Sequence, residues 1–529
     1  MKFNHLNVPD HWQQYWSRYP EGYTILEALI SWVSQVDDMV DNQNKLNETF
    51  EQFRKELDDF VGRFDERLQD EVSQTLREWQ ESGFIDVVIS EALQWQLDNY
   101  ITTNEQDKTY INQQLQIIDE AKFNKSDMVG GRVKGVSYGL NNEDGIWSWW
   151  TSNAVRINKV RDKAYLGLVS RTGQQGLMSF NYDSGIYERV TFSQHERDDH
   201  NAPAIIALDN DTVLSFYTRH SSDNKIRWRV TRVRESIVEY GEENFYEAEG
   251  LTTYVQLFKY GNQVKVLFRV QTPTTNKFML ATYSTVSNTI ISVVPIFEST
   301  TQSYVRLTPS RAYPTLLVGF VYQHPIYGTD NHIRYVEIEL SNGDVRTSSS
   351  TGMVKIANID EPNVPVTLSQ LGIAYESTNN KKTRLLDVPS SNSVRFAFIT
   401  FDDENNGEYH VGIRRENTWF TSKITDSGKP FEEPAGANYY FGGVALLHNN
   451  PNIAYVSKEN GGTWSIEKIV SSDNGNTWAV DSVIDSSDTK KLLRPVCLIG
   501  GDEDHAGFYQ KGYFTTYSDY LTDIYSLNS

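Results

Sequence analysis

Ser471-Ser472-Asp473-Asn474-Gly475-Asn476-Thr477-Trp478 matches Ser-x-Asp-x-Gly-x-Thr-Trp at every position. The spacing encodes a capped turn. The aspartate gathers backbone N–H groups, the glycine takes a positive φ that side chains resist, and the tryptophan packs between neighbouring sheets. This Asp-box turn marks the blades of β-propellers and is silent about catalysis. Ser457-Lys458-Glu459-Asn460-Gly461-Gly462-Thr463-Trp464 fits the same pattern with glutamate in the aspartate position. Asp473, Gly475, Trp478, Gly461 and Trp464 are therefore assigned to architecture.

The flanking sequence agrees. From about Val129 to Asn528, short alternating apolar runs are separated by Asn, Asp, Gly and Ser, the pattern of an all-β fold. The character changes near residue 125. Before it glycine is scarce and apolar residues take helical spacing. Val36, Gln43, Phe50, Leu57 and Phe64 occupy one seam position of a heptad, and Met39, Leu46, Phe53 and Phe60 the other. Leu68, Val72 and Leu76 then follow at intervals of four, a stutter, and Ser82-Gly83 breaks the helix. Bulky Phe at both seam positions predicts a parallel homotrimer, with Gln43 able to pair with its copies. The chain is thus read as an attachment segment (1–20), a trimeric α-helical coiled-coil stem (21–125) and a mainly β propeller (126–529).

Composition narrows the function. The 529 residues include 30 Tyr, 24 Phe and 12 Trp, which suits β-structure and stacking on sugars. Net charge is −21 with no basic tract, so nucleic acid is not an expected partner. No apolar run is long enough to span a bilayer, so membrane insertion is not expected either. A single cysteine, Cys497, excludes an intrachain disulfide framework. The start, Met1-Lys2-Phe3-Asn4-His5, has no apolar core of a signal peptide. Pro9-Asp10-His11-Trp12-Gln13-Gln14-Tyr15-Trp16, ahead of the stem, resembles the N-termini of tail-fibre and receptor-binding proteins of phages of Gram-positive hosts. That resemblance implies a place on a virion tail, joined through the N-terminus to other tail or baseplate proteins.

A second resemblance rests on pieces that occur in order. Lys163-Ala164-Tyr165-Leu166-Gly167 leads to Tyr182-Asp183-Ser184-Gly185. Asp198-Asp199-His200-Asn201-Ala202-Pro203 and Phe216-Tyr217-Thr218-Arg219-His220 follow, then Tyr254 and Val266-Leu267-Phe268-Arg269. Later come Tyr304-Val305-Arg306, Gln323-His324-Pro325, Asn331-His332-Ile333-Arg334-Tyr335 and Leu493-Arg494-Pro495-Val496. Together they resemble the β-propeller polysaccharide lyases of the ulvan-lyase type, which carry BNR-like repeats. The resemblance implies about seven blades and β-elimination on a uronic-acid-containing polysaccharide.

The chemistry supports that set of residues. Removing the weakly acidic C5 proton of a uronate places charge on the carboxylate, which a two-pronged guanidinium neutralises. A base must reach C5–H and an acid must protonate the leaving oxygen at C4. His200 is expected as base, Tyr254 as the second proton-transfer group, Arg269 as the cation, and His220 as the group that holds or neutralises the carboxylate. The division of acid and base between His200 and Tyr254 stays open. A single histidine at a strand end more often satisfies a hydrogen bond than catalyses. Two, with Asp198 and Asp199 able to orient an imidazole, favour chemistry. Asn201, Arg219 and Arg227 are expected to bind substrate, with Arg269, Arg219 and Arg227 forming a local basic cleft. His324 is read as structural, and His332, His448 and His505 carry no motif. No metal ligands are assigned, since the cysteines that accompany a zinc site in such proteins are missing. No cofactor is required, and a structural divalent cation stays open.

The expected function is a phage fibre that attaches to host cell-surface polysaccharide and cleaves it. A fibre that only binds, for example to wall teichoic acid, is the alternative. A cellular polysaccharide lyase with an oligomerisation stem is a further one. A sialidase-type glycosidase would need three arginines and a Tyr/Glu pair in an order this chain does not supply.

Overall fold

The computed structural model describes residues 146–148, 153–158, 162–182 and 187–527, the last with short gaps at 238, 310–314, 322–330, 350–351, 362–364, 378–380, 403, 405 and 432–439. These lie within one compact unit, Val133–Ser529. The expected attachment segment and coiled-coil stem fall outside the described residues, as do Asp183-Ser184-Gly185 and Gln323-His324-Pro325.

The fold is mainly β, as the alternating runs require. Its strands form antiparallel meanders that follow one another along the chain, at 154–194, 204–247, 251–299, 304–358, 382–428, 444–487 and 491–526. Among the described residues there are seven. The opening strand of each meander touches the opening strand of the next. The series closes on itself, because Val155 in the first meander pairs in parallel with Ile499 in the last. Seven opening strands around a common axis are the arrangement of a propeller.

Burial falls from the axis outward. The second strands of the first two meanders, Asp162–Val169 and Val213–Tyr217, lie next to the opening strands at the axis and are buried on both faces, whereas the outer strands Tyr187–Gln194 and Ala479–Ser487 are largely polar and partly exposed. The inner strands accordingly read as continuous apolar runs. Apolar clusters fill the spaces between neighbouring meanders. Phe216 and Trp228 of the second pack with Phe268 and Tyr283 of the third, for example. Each such ring contributes about 1.5–3 kcal/mol by leaving water.

Ser471–Trp478 forms the capped turn between the last two strands of the sixth meander. Asp473 Oδ1 accepts from the N–H groups of Asn476 at 3.1 Å and Thr477 at 2.8 Å, and Gly475 has φ 86°. A Cβ at Gly475 would stand 2.4 Å from Ile413 Cδ1. Trp478 Nε1 donates to Ser422 Oγ of the fifth meander at 3.2 Å, so the tryptophan does bridge two meanders. The second segment, Ser457–Trp464, takes a different shape, which corrects the Asp-box reading of Gly461 and Trp464. Gly461 (φ 61°) and Gly462 (φ 98°) make a two-residue hairpin turn, with Asn460 paired to Thr463. Glu459, one methylene longer than aspartate, reaches the Gly462 N–H at 2.5 Å and the Lys429 N–H at 2.9 Å. Trp464 is buried in the core beside Phe431.

Candidate active site

The expected residues converge where the inner strands begin. The turn Asp199–Asn201 is a single 3-10 turn capped by Asp198, just ahead of the inner strand Ala204–Ala207. His220 follows the end of the strand paired to it, Val213–Tyr217. Tyr254 lies near the start of the inner strand Leu251–Tyr260, and Arg269 near the end of its antiparallel partner Gln263–Gln271. Antiparallel pairing brings these strand starts and strand ends to one end of the ring.

Asp198 organises the centre. One of its oxygens accepts from the His200 backbone N–H at 2.9 Å and from His200 Nδ1 at 2.7 Å, and the other accepts from His220 Nδ1 at 2.7 Å. The two imidazoles are stacked, with centroids 3.9 Å apart and planes 7° from parallel. Each Nδ1–H points at a carboxylate, so each ring turns its Nε2 away from Asp198. Tyr254 Oη stands 3.5 Å from His220 Nε2. Asn201 Oδ1 accepts from the His220 backbone N–H at 2.8 Å and thereby ties the His220 loop to the His200 turn.

Asp199 links the His200 ring to the core. It is fully buried, with Oδ1 2.7 Å from His200 Nδ1 and Oδ2 2.6 Å from the guanidinium of Arg494. Arg494 comes from the inner strand of the last meander, at a register shift between Leu493 and Val496, and has φ 50°. Arg494 is a residue of the site to which the sequence reading assigns no role. A charged residue set between apolar ones in a strand was the available signal, since a buried charge needs a partner.

The surroundings drive the two imidazoles apart. Burial works against the charged form of His200, but Asp199 and Asp198 outweigh it and raise the group from 6.5 to about 9. His220 is lowered below 6.5 by burial, then by the neighbouring His200 and by Arg269, against the pull of Asp198. Burial also tends to raise Asp198, yet the two histidines hold it well below the usual carboxylate range. Near neutral pH one ring is thus a cation and the other a neutral imidazole with an open Nε2. His200, expected as the base, is held protonated.

Tyr254 is buried, and burial raises its phenol well above 10. It has φ 59° and sits in a bulge where Leu267 and Arg269 face Gln256 and Thr253. A bulky residue in this conformation is strained unless its surroundings over-determine it. The guanidinium of Arg269 lies 4.5 Å over the Tyr254 ring and donates to the Ser303 carbonyl at 3.3 Å. Arg269 is 1% exposed, its Nε has no hydrogen-bond partner, and no carboxylate pairs with it among the described residues.

The other expected cations take partners of their own. Arg219 forks onto Glu196, with Nε 3.0 Å from Oε2, and Arg227 onto Asp223 at 2.6 and 3.2 Å. Both lie on the second meander, and the basic cleft expected of them with Arg269 does not form from free guanidiniums. His332 and His448 accept backbone N–H groups of Ser377 and Ser390, and His505 pairs with Asp502, all structural roles. Asp198, His200 and His220 offer donor atoms within 4.8 Å of one another, a set that could hold a cation, although the 2.7 Å contacts already close it with hydrogen bonds.

Among curated proteins none matches the sequence. An ulvan lyase from a newly described family of polysaccharide lyases, solved free and bound to -[GlcA(1-4)Rha3S]-, is similar in structure. Its TM-score is 0.59 at 12% identity, over 74% of this chain and 96% of that one. The polysaccharide lyase Uly1 aligns with a TM-score of 0.47 at 9% identity, over 77% of this chain and 95% of its own. At such identities the likeness is one of fold. The sequence profile that describes BNR repeat-containing family members matches residues 163–427, half of the 529 residues. With the repeated meanders and the closed ring already in place, this chain belongs to the BNR repeat-containing family.

Proposed function

We propose that the protein is a polysaccharide lyase that breaks uronate-containing glycans by β-elimination. The observation that supports this most is the stacked His200–His220 pair on Asp198, with one ring cationic and one neutral, beside the Tyr254 hydroxyl. In this reading His220 Nε2 takes the C5 proton. The electron pair released forms the C4=C5 double bond and expels the C4 oxygen, which takes the Tyr254 proton. The phenolate then recovers a proton from His220 across the 3.5 Å gap, restoring both groups. His200 and the carboxylate-free Arg269 offset charge that builds on the uronate carboxylate. Acid and base this close act from one side of the sugar, which suits uronates whose C5–H and C4–O share a face. The fold likeness to a lyase solved with a glucuronate-containing ligand points the same way.

The test is ultraviolet absorbance during incubation with a glucuronate–rhamnose polysaccharide, since the 4,5-unsaturated uronate absorbs where the intact sugar does not. A rise that vanishes in His220→Ala is expected. No rise with any glycan the protein binds would leave a lyase-shaped adhesin.

The heptad at 36–64 and the Pro9–Trp16 segment favour a setting for this activity, a homotrimeric phage tail fibre acting on host cell-surface polysaccharide. Three heads on one stem would add avidity. Light scattering that returns a monomer would remove this part of the proposal.

A further inference from the structure

Two tyrosines flank the imidazole stack. Tyr254 lies 5.7 Å from His200 and 5.8 Å from His220, and Tyr517 lies 5.8 and 6.2 Å from the same rings. Near-equal distances place both beside the stack, since a ring above one imidazole would stand far from the other. Tyr254 is buried, while Tyr517 is 40% exposed, so Tyr517 stands at the mouth of the site. Its planes meet those of the imidazoles at 80° and 87°.

Tyr517 is at the tip of the last hairpin, between Thr516 and Asp519. Its carbonyl accepts the Asp199 N–H at 2.9 Å, a direct link to the turn that carries His200. Arg197, just ahead of that turn, donates to the Tyr520 carbonyl and pairs with Asp519 at 3.3 Å. The hairpin tip and the catalytic turn are therefore held as one unit. An exposed aromatic ring on a fixed support, at the rim of a polar site, is suited to the apolar face of a pyranose.

We propose that Tyr517 is a substrate-positioning residue, whose ring stacks on the sugar adjoining the uronate and sets the register of C5–H against His220. The proposal rests on the lyase reading for what is bound, and on the exposed ring and its link to Asp199 for where it is bound.

The experiment uses the full chain and the glucuronate–rhamnose polysaccharide, with binding measured by calorimetry on the His220→Ala background so that turnover does not intrude. Adding Tyr517→Ala is expected to weaken binding about tenfold, and Tyr517→Phe to restore it to within about twofold, because the stack uses the ring and not the hydroxyl. In the otherwise native enzyme, Tyr517→Ala should raise KM by a similar factor and leave the pH profile of kcat in place. Equal binding by the alanine variant overturns the proposal, and so does a shifted pH profile, which would make Tyr517 part of the proton-transfer group. No measurable binding by His220→Ala alone also overturns it, since there is then no sugar for Tyr517 to hold. Binding that depends on Tyr517 without any absorbance rise sinks the lyase reading alone and leaves this one standing.

Discussion

Asp198→Asn isolates the charge that organises the site, because asparagine keeps the shape and the helix-capping ability of aspartate. Asp198 accepts from both Nδ1 atoms at 2.7 Å and from the His200 N–H at 2.9 Å. The amide can still accept from one imidazole, but its NH2 faces the other as a second donor. The rise of His200 from 6.5 to about 9 is worth about 3 kcal/mol of extra hold on its proton, at roughly 1.4 kcal/mol per pH unit. Asp199 and Asp198 share that hold, so losing one should return His200 by about 1–2 pH units. Loss of a charge-assisted bond at a buried site should also lower stability by about 2–3 kcal/mol. The assay is carbon-13 NMR titration of labelled histidine, with urea unfolding alongside. A His200 that still titrates near pH 9 in the variant would refute the argument that Asp198 fixes the charge split.

Four further outcomes are expected. Elimination should show a bell-shaped pH profile, with an acid limb below an ordinary histidine's 6.5 from His220 and an alkaline limb near 9 from His200. An enzyme whose rate keeps climbing through pH 10 would remove the cationic role of His200. Stability follows the same groups. The His200 contribution is complete below 6.5 and is lost as pH rises through about 9, while the lowered His220 favours the unfolded chain as pH falls below 6.5. Tyr254→Phe keeps the ring beneath Arg269 and removes only the proton donor, so kcat should fall by about 100-fold or more with Tm nearly unchanged; an unaltered kcat would clear the phenol of its role. Arg494→Met strands Asp199 in the core and should destabilise by about 3–5 kcal/mol in urea unfolding; a loss under about 1 kcal/mol would show that the pair is not what holds the Asp199–Asn201 turn.

Local chemistry was the legible part of the sequence. The Ser471–Trp478 turn forms as read because every contact that defines it lies within a few residues. The near-match at Ser457–Trp464 misled, because a longer carboxylate and two adjacent glycines favour a tight hairpin that spacing alone does not distinguish. His200, His220 and Asn201 were findable from their motifs, and Tyr254 and Arg269 from their order. The charge states were not, since they depend on burial and on Arg494, which meets Asp199 only after the ring has closed. The positive φ of Tyr254 was invisible too, because a bulge is a property of two paired strands. Arg219 and Arg227 looked like free cations because Glu196 and Asp223 are drawn to them only in the folded second meander.

The junction between the last meander and the second also gives the protein a sense of time. Asp199 receives its counter-charge from Arg494 and its backbone acceptor from Tyr517, both supplied by strands that leave the ribosome long after His200 and His220. Contacts so distant along the chain are slow to close, since loop entropy must be overcome before they return anything. A growing chain therefore holds its imidazoles early yet lacks the frame around Asp199, and the two histidines reach their final surroundings only when the last hairpin closes the ring.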